Sequence, residues 1–167
     1  MSPRTGKLLL GALLLTLGLA LWRLWPVSPR EQVQLQLQTL ASLWNYGPGE
    51  SPIHKKQALA RMKSLLSPDI VVEINLQHHA PHQLQGRHGL MEGIEAIRFS
   101  VEELHIELFD YKIEILPDGT HANVSMAMEA KIGPEKQEEF QELKSTLERS
   151  PDGWVITRVQ TVKTWGR

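Results

Sequence analysis

The sequence predicts an α+β fold: helices first, then a strongly bent antiparallel sheet, all preceded by a transmembrane helix. Three observations predict it. Apolar residues recur mainly at helical spacing before residue 100 and mainly in strand-type alternation after it, with Pro and Gly turns between the runs. Leu104, Ile106 and Leu108 share one parity while Tyr111, Ile113 and Ile115 share the other. One long strand over 102–116 must therefore change face near Phe109–Asp110, which takes a bulge or a sharp bend and lets a sheet curl into a cup. Finally, Leu8 to Trp22 is an uncharged run behind Arg4 and Lys7.

That first segment divides the chain into an anchor, residues 1–27, and a domain, residues 28–167. At about 1.5 Å per residue, Leu8–Trp22 falls short of a hydrocarbon core, but Leu8–Val27, interrupted only by Arg23, just suffices. Arg23 can snorkel to the headgroups, and Trp22 and Trp25 suit the interface. The rival reading is a signal peptide cleaved near Gly18-Leu19-Ala20, which would make the protein secreted. The N-terminal charges favour an inside N-terminus, so the expected location is a single-pass protein of the cell membrane with its domain on the extracytoplasmic, periplasmic side.

Charge narrows the function classes. Residues 1–30 hold four basic side chains and no acid, and the rest carries 14 basic and 19 acidic residues, a net of −5. An acidic domain repels a phosphate backbone, so no nucleic acid is expected as a partner. With no Cys, thiol nucleophiles, disulfides and Cys-type zinc sites are excluded.

The domain opens with Ser28-Pro29-Arg30-Glu31, where Ser caps, Pro fits the first helical position and Glu completes a capping box. Val33, Leu37, Leu40 and Trp44 follow at helical spacing, with Leu35 and Leu43 widening the stripe, until Gly47-Pro48-Gly49. Ser51-Pro52 starts a second helix that runs to about Leu66 and buries Leu59, Met62 and Leu65. Ser67-Pro68 ends it. Ile70, Val72, Ile74 and Leu76 alternate as a half-buried strand. A polar loop with a short strand around His82–Gln85 leads through Gly86 to a third helix, with Leu90, Ile94 and Ile97 as its buried stripe.

A meander completes the chain. Its second strand keeps Ala122, Val124, Met126, Met128 and Ala130 on one parity, and Ser150-Pro151-Asp152-Gly153 turns into the last strand, 154–165. Residues 135–149 are rich in Glu, Lys and Gln, with Phe140, Leu143 and Leu147 at helical spacing. Propensity favours helix, but hairpin turns on both sides make the segment a strand.

This order resembles the nuclear transport factor 2-like superfamily, SnoaL-like domains included. The residues that carry the resemblance are Ser67-Pro68-Asp69-Ile70-Val71, Gly86-Arg87-His88-Gly89-Leu90, and Pro151-Asp152-Gly153-Trp154 with the strand after it. The resemblance covers about residues 31–165. It implies a cone-shaped domain, three helices packed in a bent antiparallel sheet, often dimeric. Members include ketosteroid isomerases, dehydratases, epoxide hydrolases and polyketide cyclases, and also non-catalytic binding and assembly domains. Some are bitopic inner-membrane components of type IV secretion systems.

Candidate chemistry divides three ways. Asp110, Glu107, His105 and Tyr111 surround the change of face, and an Asp base with a Tyr donor is one arrangement they could make. Asp69, Glu73 and Glu103 are further carboxylates. Against this, charges alternating with core residues are ordinary in a half-exposed strand. Trp44, Met62, Met91, Phe109, Met126 and Met128 could line a pocket for a small apolar ligand, or simply fill the core. His78, His79, His82 and His88 are metal-ligand types, but their spacing matches no metal signature and a polar surface loop accounts for them. No metal or cofactor is expected. The expected function is a membrane-anchored binding or assembly module, with a homodimer or a membrane-protein partner. An isomerase, lyase or hydrolase in the cone is the alternative.

Overall fold

The computed structural model describes residues 27–74, 82–134 and 137–165. In chain order the elements are α1 Pro29–Trp44, α2 Pro52–Leu65, β1 Leu66–Ile74, β2 His82–Gln85 and α3 Arg87–Ser100, then β3 Leu104–Ile115, β4 His121–Ile132, β5 Gln137–Ser150 and β6 Gly153–Trp165. The expected spanning stretch lies outside the described residues except for Val27. No helix among the described residues is long and apolar enough to cross a membrane.

The helices start where their capping residues place them. Ser28 Oγ accepts from the Glu31 amide at 3.3 Å, and the Glu31 carboxylate accepts from the Ser28 amide at 3.2 Å. Ser51 Oγ caps α2 through the His54 amide. Val33, Leu37 and Ala41 of α1 and Met62 of α2 are buried. Leu35 is 55% exposed, because two residues from both Val33 and Leu37 it points round the helix away from them. In α3 the buried stripe is Leu90, Ile94 and Arg98, and Ile97 faces water. The i, i+4, i+8 positions run along the core, and an arginine occupies the last of them.

The sheet has the order β2-β1-β6-β5-β4-β3. It is mixed rather than antiparallel throughout: β1 pairs parallel with β6, and the other neighbours are antiparallel. Hairpin turns specify only antiparallel neighbours, whereas β1 and β6 meet from opposite ends of the domain. β1 follows α2 directly, and its register with β6 shifts between Leu66 and Val71. Pro68 falls in that shift, where its missing N–H interrupts no regular ladder.

β5 is a strand despite its helix-like spacing. Leu143, Ser145 and Leu147 are all buried and share a parity, and the polar Ser145 hid the alternation. Its hydroxyl donates to the Arg158 carbonyl at 3.0 Å, so the group is buried with a partner. The helices cover one sheet face, where Leu37, Met62, Ile70, Val124, Leu147 and Ile156 anchor a packed apolar cluster.

Candidate functional site

The change of face in β3 is a bulge centred on Asp110. Phe109 pairs with Ala127 and Lys112 with Ser125, so β3 carries one residue more than β4 between those pairs. Asp110 takes φ 52°, a left-handed conformation in which Asp is tolerated better than most side chains. Leu104 and Leu108 before the bulge, and Tyr111, Ile113 and Ile115 after it, all reach the helix side. His105, Glu107 and Asp110 are exposed.

The bulge opens a half-open cleft of about 450 Å³ on the far face of the sheet. Asp110, Tyr111, Lys112, Glu142, Lys144 and Val162 are among its walls. The Tyr111 hydroxyl is buried and has no hydrogen-bond partner. Burial, and secondarily the Glu107 carboxylate, push its pKa up, so at neutral pH it is a protonated donor. Asp110 is exposed at this cleft, whereas the Tyr111 ring packs with the core cluster on the helix side, so the carboxylate and the phenol do not share one solvent-facing position. His105 lines a different cleft, of about 570 Å³, with Asn45, Tyr46, Glu103 and Lys131. Lys131 is paired there with Glu129 at 2.9 Å and more loosely with Glu138 at 3.8 Å, which raises its pKa.

The pocket candidates sit mostly in the core. Met62 and Met126 are buried, and Trp44, Met91 and Met128 pack against the same cluster. Phe109 is half-buried and, across from Ala127, has the opposite parity to Leu108. Asp69 is exposed, Glu73 pairs with Arg158, and Glu103 joins the His105 cleft. Of the histidines, His78 and His79 lie outside the described residues and His82 opens β2. His88 is on the surface of α3, 3.5 Å from Glu92. Among the described residues no three His, Asp or Glu side chains stand close enough to hold a metal ion.

Sequence reasoning missed a buried ionic cluster at the junction of α1, α2 and α3. Arg98, 2% exposed, donates through Nε and Nη2 to the two Glu50 carboxylate oxygens at 3.0 and 2.5 Å. Nη1 donates to the Leu43 carbonyl at 2.8 Å, and the guanidinium lies 4.4 Å from the Tyr46 ring centre. The Tyr46 backbone bridges to Leu104, and the Asn45 side chain accepts from the Ile106 amide at 2.6 Å. Arg98 thereby ties the α1–α2 connection to the start of β3. The available signal was an arginine eight residues after Leu90 on the apolar stripe.

No family model matches the chain, and no curated protein does. Solved structures do. A candidate scytalone dehydratase from Novosphingobium aromaticivorans superposes with a TM-score of 0.63 at 13% identity, over 82% of this chain and 86% of that one. A candidate dehydratase of the nuclear transport factor 2-like family from Streptomyces avermitilis gives 0.62 at 15% identity, over 80% and 94%. A nuclear transport factor 2-like protein with a cystatin-like fold, also from N. aromaticivorans, gives 0.58 at 14%, over 88% and 86%. At such identities the likeness establishes the fold, the cone expected from the sequence, and leaves activity to the site.

Proposed function

We propose that this protein is a binding or assembly module, held at the membrane through residues 8–27 with its domain outside the cytoplasm, and that it acts without catalysis. One observation supports this reading most. The helix-facing side of the sheet is a packed apolar cluster, while His105, Glu107 and Asp110 face away from it. Acid–base catalysis requires titratable groups converging on one sheltered substrate position. The Ser28 cap begins α1 immediately after the apolar run, so the domain is held close to the bilayer and suits a partner there.

Site-specific photo-crosslinking in intact membranes tests the module. Probes at Phe99 on α3 and at Val162 on β6 are expected to give one discrete crosslinked species from one of the two faces. Neither a partner nor a second copy being recovered from either face would remove the proposal. A reporter fused after Arg167 is expected to be active outside the cytoplasm, and activity confined to the cytoplasm would reverse the topology.

The enzymatic alternative retains one specific support. Asp110 is held in a left-handed conformation at the mouth of a cleft, and backbone outliers concentrate at functional sites. If that cleft were catalytic, Asp110→Asn would abolish turnover of a hydroxylated or ketonic substrate while leaving the fold intact. The module reading expects no turnover from the unmodified protein.

A further inference from the structure

On the sheet face turned away from the helices, a second half-open cleft of about 400 Å³ lies across β4, β5 and β6. Asn123, Ser125, Lys144, Thr146, Arg158 and Gln160 surround it. Strand alternation puts them there. Ala122, Val124, Leu143, Leu147 and Ile156 are buried beneath, and the residues between them point outward. The ladder sets them in two rows: Ser125 opposite Lys144 and Lys144 opposite Gln160, then Asn123 opposite Thr146 and Thr146 opposite Arg158. Strands about 4.8 Å apart bring both rows within reach of one small group.

The chemistry of these walls is one-sided. They contain two cations and no carboxylate, although the chain beyond residue 30 has a net charge of −5. Glu73 engages Arg158 through Nη2 only. Lys144 has no ion-pair or hydrogen-bond partner among the described residues, and neither do the Ser125 hydroxyl and the Gln160 amide. Asn123 uses its carbonyl oxygen to accept from Thr146, which leaves its amide N–H groups to donate. The cleft is therefore a set of unused donors around two cations, of which Arg158 is engaged by Glu73 and Lys144 is shared with the adjoining cleft that Asp110 and Glu142 also line. Its volume falls within the range of small-molecule sites.

We propose that this cleft binds the oxyanion group of a small molecule, a carboxylate or a phosphate, between Lys144 and Arg158. Arg158 offers its remaining N–H groups to two oxygens, and Lys144 closes on the charge from β5. Asn123, Ser125 and Gln160 supply neutral donors around them. The site is outside the cone and stands whether or not the domain is catalytic.

The test is calorimetric titration of the full-length chain in detergent with inorganic phosphate and, separately, with citrate, at constant ionic strength. Saturable binding of at least one is expected, and the tighter of the two identifies the source of the oxyanion. Lys144→Gln and Arg158→Gln should each weaken it by about tenfold, since each removes one charge-assisted contact. Lys63→Gln on α2 should leave it unchanged. Glu73→Gln should tighten binding, because it frees Arg158 from a competing carboxylate, a result that a purely structural role for Arg158 does not produce. The proposal is overturned by the absence of saturable binding, by an equal response to chloride, or by a folded Lys144→Gln/Arg158→Gln variant that binds like the unmodified chain. It is equally overturned if the face proves to be covered by a second copy, seen as a dimer that Lys144→Glu dissociates and phosphate leaves untouched.

Discussion

Arg98 and Glu50 form the most deeply buried ion pair among the described residues, at 2% and 14% side-chain exposure. The cost of removing both charges from water is met by their mutual geometry, by the Leu43 carbonyl and by the Tyr46 ring. Breaking the pair from one side leaves a desolvated charge. Arg98→Met should therefore cost about 3–5 kcal/mol in urea unfolding. Arg98→Lys should fail to rescue most of it, because an ammonium cannot span both carboxylate oxygens. Glu50→Leu combined with Arg98→Met should recover part of the loss, and a strictly additive double variant would mean the two side chains are not coupled. Asp118 behaves differently, at the exposed β3–β4 turn. The Thr120 amide, then the His121 ring, then the His121 amide hold its carboxyl down at about 2 from an ordinary 3.8. A lowered native pKa means stabilisation that is complete above the ordinary value and is lost as pH falls from 3.8 towards 2. Acid unfolding of Asp118→Asn against the unmodified protein should show a difference that shrinks over that interval, and a constant difference would exclude the linkage. The Arg98 pair left only the stripe position as a signal in the sequence, because its partner Glu50 is 48 residues away and a charged residue reads as surface until its partner is known.

At the scale of elements, β3 shows what alternation can and cannot reveal. Its slip was readable because Leu, Ile and Tyr mark one face and Glu, His and Lys the other on both sides of Asp110. β6 slips twice against β5, at Thr146/Leu147 and Glu142/Leu143, and neither was readable. Val155, Thr157, Val159 and Thr161 are β-branched whichever face they take, so hydropathy does not mark the face. The β3 bulge also makes a sharp prediction. Asp110→Gly should be neutral or stabilising by up to about 1 kcal/mol, because glycine enters the left-handed region without a Cβ clash. Asp110→Val should be destabilising at the same position. Deleting Asp110 removes the extra residue and forces either Leu104–Leu108 or Tyr111–Ile115 onto the solvent face. At about 1.5–3 kcal/mol for each large apolar side chain exposed, the deletion should unfold the domain, as measured by circular dichroism. A deletion variant that stayed folded at unmodified stability would show that the bulge does not set the register.

The whole molecule has two distinct ends, and α1 runs between them. Its first turn follows Val27, and Gln36 donates to the Trp154 carbonyl beside the β5–β6 turn. The Arg149 amide joins that turn to the β3–β4 turn through the Thr120 carbonyl. At the other end of α1, Asn45 and Tyr46 meet β3, and the Arg98–Glu50 pair brings the start of α2 to the end of α3. Ile53 and Phe99 are exposed on those two helix ends, with Lys55 5.1 Å from the Phe99 ring centre. Sixteen helical residues span about 24 Å, so an anchor ending at Val27 would hold Phe99 well beyond the headgroups. The proposed tether can be measured on this axis. With the full-length chain in vesicles, a fluorophore attached at a cysteine replacing Val27 should be quenched strongly by nitroxide lipids. One replacing Phe99 should be quenched weakly or not at all. Cysteine is otherwise absent, so each label is unique. Equal quenching at both positions would lay the domain flat on the bilayer and make Ile53 and Phe99 membrane contacts. Quenching at neither would remove the anchor, and with it the argument that the partner is found at the membrane surface.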